Sequence, residues 1–175
     1  MRSLLIGGAR SGKSSLAARW ALERSAEVCV LVTGIATDEE MAARIAVHRD
    51  ARPQHWRVRE EPVRLGHALS QEASTKQLVL VDCLTLWISN CLWPTASLPR
   101  TDHALWSGER ALFLEALRTC SDIIVVSNEV GSGIVPESPV ARLFRDEQGR
   151  LNQAVAGLCD EVFLVSAGLA LRLKG

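Results

Sequence analysis

A stretch near the N-terminus has residue types and spacing that suit the binding of a phosphate chain. Residues 7–14 match the pattern G-x-x-x-x-G-K-[ST] at every fixed position. Glycines in such a loop let successive backbone N–H groups point at one anion, the lysine reaches the β- and γ-phosphates, and the final hydroxyl helps to hold Mg²⁺. The motif predicts a nucleoside triphosphate site formed by Gly7, Gly8, Ala9, Arg10, Ser11, Gly12, Lys13 and Ser14. The alternative is a structural glycine turn.

A carboxylate at the end of an apolar run is the second candidate. Residues 78–82 read Leu-Val-Leu-Val-Asp, which predicts a buried strand that ends at Asp82. Proteins with this kind of phosphate loop place a further metal-directed carboxylate at a strand end, so Asp82 is predicted to join Ser14 in holding Mg²⁺. The alternative is that Asp82 caps the helix that is predicted from residue 84 onward.

His48 has the chemistry of a nucleophile. A neutral imidazole can form a covalent intermediate with an electrophilic phosphorus. His48 lies near the predicted C-terminus of a helix, on the same face as Met41 and Ile45. The helix dipole there favours the protonated ring, so a nucleophilic role would require a nearby base or a deprotonating environment. The alternative is a half-buried histidine that packs on this helix face.

Arginine is concentrated around His48. Residues 44–64 contain six arginines and three acidic residues, although the whole chain has no net charge. Planar guanidinium groups bind polyphosphate well, so this excess favours a phosphate-binding surface, with a solvated helix end and loop as the alternative. The six are Arg44, Arg49, Arg52, Arg57, Arg59 and Arg64.

Hydrophobic patterning predicts the elements that must position these residues. Apolar runs predict buried strands near residues 1–6, 28–32, 78–82 and 123–127. Helix signals and helical spacing predict helices from Lys13, from a Thr37/Glu40 capping box, and over 84–93, 102–119 and 139–157. A terminal hairpin is predicted to turn at Ala167-Gly168. The alternation predicts an α/β, three-layer fold of the P-loop NTPase type, with a mostly parallel sheet and a C-terminal antiparallel hairpin.

Length and composition narrow the class of protein. The 175 residues are expected to form a single nucleotide-binding domain over 1–175. Basic and acidic residues both number 20, which argues against a polybasic binder of nucleic acid. No apolar run approaches the ~18 residues of a spanning helix, which argues against membrane insertion. The five cysteines form no C-x-x-C pair, so we expect free thiols in a soluble, cytoplasmic protein.

Further blocks along the chain match one family. Residues 38–53 read Asp-Glu-Glu-Met-Ala-Ala-Arg-Ile-Ala-Val-His-Arg-Asp-Ala-Arg-Pro, and residues 127–136 read Ser-Asn-Glu-Val-Gly-Ser-Gly-Ile-Val-Pro. Together with the phosphate loop, these blocks resemble the bifunctional adenosylcobinamide kinase / adenosylcobinamide-phosphate guanylyltransferases of cobalamin biosynthesis. The other matching blocks are 55–56, 81–85, 144–146 and 149–153. Their order across nearly the whole chain is far more specific than the loop alone.

The resemblance implies two activities on one scaffold. The first phosphorylates a hydroxyl of adenosylcobinamide with ATP or GTP, and the second moves GMP from GTP onto adenosylcobinamide phosphate and releases pyrophosphate. It implies that His48 carries the guanylyl group, and that the enzyme is a homotrimer. Lys13 would stabilise charge on the transferring phosphorus in both steps. The nucleotide contacts implied beyond the loop are Val32, Thr33, Gly34, Arg49, Asp50, Ala51, Arg52, either Glu60 or Glu61, and Asp82.

Two other functions stay open on the residues alone. A small-molecule P-loop kinase without guanylyl transfer would leave His48 dispensable and give GTP no advantage over ATP. A non-catalytic nucleotide-binding regulator would show no dependence on a corrinoid. Residues 128–133 follow a strand end, where α/β sheets bind ligands, and are predicted to form a functional loop, with a plain glycine turn as the alternative. Residues 87–106 match no family signature and could form a lid, a corrinoid entrance or a surface connection.

Overall fold

The computed structural model describes residues 1–74, 77–93, 95, 98 and 102–175, which form strands and helices in alternation. The strands are β1 (Arg2–Gly7), β2 (Val28–Val32), β3 (Arg57–Glu60), β4 (Leu78–Asp82), β5 (Ile123–Asn128), β6 (Glu161–Ser166) and β7 (Leu169–Lys174). The helices are α1 (Lys13–Arg24), α2 (Glu39–Asp50), α3 (Leu65–Glu72), α4 (Leu84–Leu92), α5 (His103–Thr119) and α6 (Pro139–Leu158).

The strands form one sheet in the order β3-β2-β4-β5-β1-β6-β7. Neighbouring strands are parallel except for β6 and β7, which pair antiparallel as a hairpin. The prediction of a mostly parallel sheet with a C-terminal hairpin is confirmed. This order brings the carboxyl ends of β4, β5 and β1 side by side, at the edge where α/β sheets bind ligands.

Successive strand residues point to opposite faces of the sheet and enter two separate hydrophobic cores. On one face, Leu5 and Val126 pack against α1. On the other face, Val81 and Val125 pack beneath α3, α4, α5 and α6. None of the described side chains of α2 is buried, so neither core anchors this helix.

The cap of α2 differs from the predicted capping box. Asp38, not Thr37, is the N-cap residue, and its carboxylate accepts a hydrogen bond from the N–H of Met41 at 2.7 Å. The Thr37 hydroxyl instead donates to the Asp38 carboxylate at 3.5 Å. Both residue types cap helices, and the ionised carboxylate is the stronger acceptor.

Two elements were absent from the predictions. The strand β3 reads Arg-Val-Arg-Glu and lies at the sheet edge, with little apolar signal. The helix α3, in contrast, has apolar residues at helical spacing, Leu65, Ala68 and Leu69, and all three are buried. Its sequence signal was overlooked. Of the segment 87–106, residues 94, 96, 97 and 99–101 lie outside the described part of the chain.

Among the described residues, no helix is both long and apolar enough to cross a bilayer. All five cysteines are free thiols, and four of them are buried while Cys83 is half-buried.

Candidate active site

The phosphate loop joins the end of β1 to the start of α1 and depends on two glycines. Gly12 has a φ of +91°, a left-handed conformation that glycine adopts without steric cost. A Cβ on Gly7 would lie 2.3 Å from the carbonyl oxygen of Val165, so a larger residue does not fit there. Because α1 begins at Lys13, the N–H groups of its first turn and its positive dipole end face the loop.

The turn of the C-terminal hairpin contacts this loop. Ala167 and Gly168 join β6 to β7 with φ values of 51° and 79°, as in a type I′ hairpin turn. The Gly168 N–H donates to the carbonyl oxygen of Ser11 at 2.9 Å. The Cα of Gly168 would lie 3.0 Å from a Cβ placed on Gly12. The turn therefore packs directly against the phosphate loop.

A cavity of about 470 Å³ opens over the loop and the carboxyl ends of the strands. It brings together four of the predicted functional side chains, which come from the start of α1, the end of α2 or just after it, and the end of β4: Lys13, His48, Arg52 and Asp82. The full lining consists of Ala9, Arg10, Gly12, Lys13, Ser14, Ser15, Val32, Gly34, Met41, Ile45, His48, Arg52, Asp82, Cys83, Leu86 and Asn128. The wall formed by the loop is polar, whereas the wall near α2 and α4 is largely apolar.

Lys13 is almost fully buried, with 8% of its surface exposed. Its Nζ donates a hydrogen bond to the carbonyl oxygen of Gly8 at 3.0 Å, so the ammonium group is folded back over the loop. A buried ammonium group is costly unless hydrogen bonds or an opposite charge compensate it. A phosphate chain bound in the loop would supply such a charge.

Asp82 forms an ion pair across the cavity wall. The Arg52 guanidinium donates to the Asp82 carboxylate at 2.6 Å, and the two side chains are only 10% and 16% exposed. The alternative that Asp82 caps α4 is wrong, because Cys83 is the N-cap residue and its Sγ accepts from the Thr85 N–H at 3.4 Å. Asp82 therefore keeps its carboxylate in the cavity, where the Ser14 hydroxyl also lies.

The donors present suit a magnesium ion. Among the described residues, no group of three or more His, Cys, Asp or Glu side chains could hold a metal by itself. Mg²⁺ in nucleotide sites takes one or two protein oxygens and completes its octahedron with water and phosphate oxygens. One hydroxyl, Ser14, and one carboxylate, Asp82, fit this requirement.

His48 lies in the last turn of α2 and its side chain is exposed. It lines the main cavity together with Met41 and Ile45 of the same helix face. A smaller cavity of about 50 Å³ beside it is lined by Ser14, Ser15, Ala17, Ala18, His48, Ala51, Arg52, Leu80, Asp82 and Val126. The imidazole is therefore open to a ligand held by the loop rather than packed in a core.

Several predicted contacts do not line the main cavity. Arg49 is paired with Asp50 at 3.4 Å on the exposed side of α2. Glu60 is exposed on β3, and the Glu61 carboxylate accepts the Arg64 N–H at 2.8 Å near the start of α3. The other predicted contacts that lie off the main cavity are Gly7, Gly8, Ser11, Thr33 and Ala51. Their roles toward a nucleotide stay predictions.

The arginine cluster is divided by the fold. Of the arginines with described side chains in 44–64, only Arg52 lines the cavity. Arg57 forms an ion pair with the buried Glu72 carboxylate, and Arg59 approaches the same carboxylate at 3.4 Å. The excess of arginine therefore forms ion pairs at the edge of the sheet as well as in the cavity.

Cys83 and Asn128 also line the cavity. Cys83 was not predicted to be a site residue, whereas Asn128 is the first residue of the predicted functional loop 128–133, with no individual role assigned to it. Burial raises the pKa of the Cys83 thiol, which is therefore a neutral part of the wall. Asn128 ends β5 and pairs in register with Gly7, the first residue of the loop. Its position at a strand end is the signal from which the functional loop was predicted, and the pairing with Gly7 adds that this end lies beside the phosphate loop.

Comparisons with known proteins agree on one family. A family model described as cobinamide kinase / cobinamide phosphate guanyltransferase matches residues 3–173. A bifunctional adenosylcobalamin biosynthesis protein, CobP, of Pseudomonas aeruginosa is 47% identical over 176 residues, covering 100% of this chain and 98% of its own. The corresponding CobU protein of Escherichia coli is 37% identical over 182 residues, covering 99% of this chain and 100% of its own.

Solved structures resemble the fold at low sequence identity. A crystal structure of the RadB recombinase has a TM-score of 0.51 at 17% identity, over 93% of this chain and 73% of that one. An ATPase from a type III secretion system of pathogenic bacteria has a TM-score of 0.52 at 12% identity, over 98% of this chain and 56% of that one. These likenesses concern the fold alone.

Proposed function

The chain belongs to the cobinamide kinase / cobinamide phosphate guanyltransferase family, and on that premise we propose how one cavity serves both reactions. The protein is a bifunctional enzyme of cobalamin biosynthesis. In the kinase reaction, a hydroxyl of adenosylcobinamide attacks the γ-phosphorus of ATP or GTP and loses its proton to solvent. The bond from that phosphorus to the bridging oxygen breaks, and the nucleoside diphosphate leaves.

In the second reaction, His48 is the carrier of the guanylyl group. A neutral imidazole nitrogen attacks the α-phosphorus of GTP, and pyrophosphate leaves with the bridging oxygen. A phosphate oxygen of adenosylcobinamide phosphate then attacks the same phosphorus. The phosphorus–nitrogen bond breaks, adenosylcobinamide-GDP is released, and His48 is regenerated.

The observation that carries this proposal is that His48 and Lys13 line the same cavity from opposite elements. Lys13 and the start of α1 form one wall, where a polyphosphate chain is stabilised. His48 stands on α2, a helix whose described side chains are not buried. An exposed imidazole that lines the same cavity as the phosphate loop is available as a nucleophile toward a nucleotide held there.

The Ser14 hydroxyl and the Asp82 carboxylate are the residues that would hold Mg²⁺ in this cavity. Bound there, Mg²⁺ would offset the negative charge that develops on the phosphate oxygens during transfer. Arg52 adds a guanidinium beside both His48 and Asp82, and it is the cavity's candidate for contact with the departing pyrophosphate. Val32 and Gly34 lie on the apolar side, where a base would be received.

The test is trapping of the covalent intermediate. Purified protein is incubated with Mg²⁺ and GTP labelled at the α-phosphorus, denatured, and examined for bound label that is acid-labile and base-stable. A parallel sample with GTP labelled at the γ-phosphorus should stay unlabelled. Label from the α-phosphorus alone is expected, because only the GMP part is transferred to the protein.

A matched pair of variants identifies the residue that is labelled. His48→Asn should abolish the label, whereas His55→Asn should retain it, because His55 is exposed but does not line the cavity. Both variants should keep the kinase reaction. Label that persists in His48→Asn would contradict the assignment, and absence of label in an active wild-type enzyme would favour a kinase without a guanylyl-histidine.

The homotrimer and the cytoplasmic location belong to the same proposal and rest on the family resemblance. Light scattering coupled to size-exclusion chromatography tests the first, with a mass near three times that of the 19.1 kDa chain as the expected result. Fractionation of the producing cells tests the second.

A further inference from the structure

Asn128 occupies the position between the two parts of the site that handle phosphate. It ends β5, which lies between β4 and β1 in the sheet. Asn128 pairs in register with Gly7, while Asp82 pairs with Val126, two residues earlier on the same strand. Paired residues and residues two apart share a face, so the Asn128 and Asp82 side chains leave the sheet on the same side.

The backbone of Asn128 is held from both neighbouring helices. Its N–H donates to the Thr85 hydroxyl of α4 at 3.0 Å, and its carbonyl oxygen accepts from Nδ2 of Asn152 on α6 at 3.0 Å. Asn152 is in turn fixed, because its Oδ1 accepts from the Ser127 hydroxyl at 2.7 Å and from Nε2 of Gln148 at 3.0 Å. These three side chains are buried. The strand end therefore has one defined position, independent of what the Asn128 side chain binds.

The Asn128 side chain itself lacks part of its hydrogen bonding. Its Oδ1 is buried and has no hydrogen-bond partner among the described residues. A buried polar atom left unpaired destabilises the folded state. Gln148 Oε1, in the buried group behind this strand end, is likewise unpaired. Among the described residues with such an atom, Asn128 is the one that lines the main cavity, so its oxygen is the one within reach of a ligand.

The chemistry of the cavity limits what can satisfy this oxygen. A carboxamide oxygen accepts hydrogen bonds, and phosphate oxygens are also acceptors, so the nucleotide's phosphates cannot pair with it. The O–H groups of this site are the Ser14 hydroxyl, which is directed to the metal ion, water on that ion, the ribose hydroxyls of the nucleotide, and the alcohol that receives the phosphoryl group. Only the alcohol must be oriented for attack on the γ-phosphorus.

We propose that Asn128 Oδ1 accepts a hydrogen bond from the substrate hydroxyl that attacks the γ-phosphorus, which makes Asn128 a catalytic residue of the kinase reaction. The inference rests on the proposed function. A neutral amide is not a base, so Asn128 orients the hydroxyl while the proton passes to solvent. The oxygen–phosphorus bond forms as the bond to the bridging oxygen breaks, and the nucleoside diphosphate carries away that electron pair.

Guanylyl transfer supplies an internal comparison. Its acceptor is a phosphate oxygen, which carries no proton to donate in its dianionic form. Asn128 should therefore matter for the kinase reaction and not for the labelling of His48 or for transfer of GMP to preformed adenosylcobinamide phosphate. The two reactions of one protein can then be compared in the same variant.

The experiment uses Asn128→Leu, which keeps the side-chain shape, and Asn128→Ala as a second variant. We expect kcat/KM of the kinase reaction for adenosylcobinamide to fall about 100-fold, since a misoriented acceptor costs that order. The unfolding temperature should not fall, because an unsatisfied buried acceptor has been removed. The matched control is Asn90→Leu, whose Nδ2 donates to the carbonyls of Thr33 and Pro62 at 2.8 and 3.0 Å, and whose unfolding temperature should fall.

Each other outcome overturns the proposal. A loss of affinity for Mg²⁺ and ATP in the absence of adenosylcobinamide would assign the oxygen to metal-bound water. A fall in unfolding temperature equal to that of Asn90→Leu would make its role structural. Unchanged kinase kinetics in both Asn128 variants would remove its role in the reaction. If wild-type protein fails to phosphorylate adenosylcobinamide at all, the proposed function fails instead.

Discussion

The ion pair between Arg52 and Asp82 should couple the loop after α2 to the strand that carries the metal-directed carboxylate. We predict that Arg52→Ala and Asp82→Asn are not additive in stability. The charged atoms are 2.6 Å apart, and the side chains are 10% and 16% exposed. Two charges at ~4 Å and an effective dielectric constant of about 20 attract by about 4 kcal/mol. Solvent at the exposed edge of the pair weakens this attraction, and residues in contact couple by about 0.5–3 kcal/mol, so we expect a coupling free energy of about 2 kcal/mol.

The assay is urea unfolding of wild type, both single variants and the double variant, without nucleotide or metal. The midpoint is converted to a free energy of unfolding with a common m value. Each single substitution leaves the other charged side chain in the cavity wall without its counterion. The loss of stability in the double variant should therefore be smaller than the sum of the losses in the two single variants. Because little of the pair is exposed, the coupling should persist in added salt.

The result that would refute this reasoning is additivity. If the losses of the single variants sum to that of the double variant within about 0.5 kcal/mol, the two side chains do not stabilise each other. A coupling that disappears in high salt would mean that the pair is open to solvent. Either outcome would also remove Arg52 as the group that holds Asp82 in place before ligand binding.

Two further predictions concern the loop and the first strand. The Cβ introduced by Gly7→Ala would lie 2.3 Å from the Val165 carbonyl oxygen. We therefore expect this variant to lose nucleotide binding, measured by calorimetry, and about 2–3 kcal/mol of its free energy of unfolding. Retained binding would contradict the loop geometry. The hydrogen bond and charge of Arg2 lower the pKa of Asp160 to about 2 from 3.8. The ionised Asp160 carboxylate therefore stabilises the folded protein fully above about pH 4, and this contribution to the free energy of unfolding is lost as the pH falls toward about 2. Between about pH 4 and about pH 2, the urea midpoint of Asp160→Asn should change less with pH than that of wild type. An equal change in the two proteins would contradict the assignment to Asp160.

The parts of the fold predicted from sequence are those with strong and local signals. The apolar runs that became β2, β4 and β5 are buried on both sheet faces, and such strands consist of continuous hydrophobic residues. The phosphate loop has fixed residue types because its backbone needs glycine at defined positions. The strand β3 was missed because an edge strand of alternating arginines gives no such signal.

Errors at helix starts arose where neighbouring residues compete for one role. Thr37 and Asp38 both qualify as caps, and the side chain that reaches the Met41 N–H decides between them. Asp82 and Cys83 pose the same choice at α4, where the carboxylate pairs with Arg52 and the sulfur becomes the cap. Such choices depend on partners that are distant in the sequence, and they cannot be derived from local pattern.

Site residues could be predicted from the sequence where a motif specifies their chemical role. Their arrangement in one cavity could not, because it depends on tertiary packing. His48 and Lys13 were identified by residue type and block, but their common cavity depends on the placement of α2 over the loop. Asn128 lies in the block 127–136 and in the predicted functional loop, but neither pattern assigns a role to its side chain. The contacts of Thr85 and Asn152 with its backbone, and the unpaired state of its Oδ1, are information that the folded chain alone contains.

The contact of the C-terminal hairpin turn with the phosphate loop has a consequence during synthesis. The first strand made, β1, pairs only with β5 and β6, and the Ser11 carbonyl receives its hydrogen bond from Gly168. A ribosome-bound chain that has already exposed the loop still lacks the segments that shape it. The phosphate loop therefore gains this support only after the hairpin has been made, whereas β2 and β4 can pair earlier in synthesis.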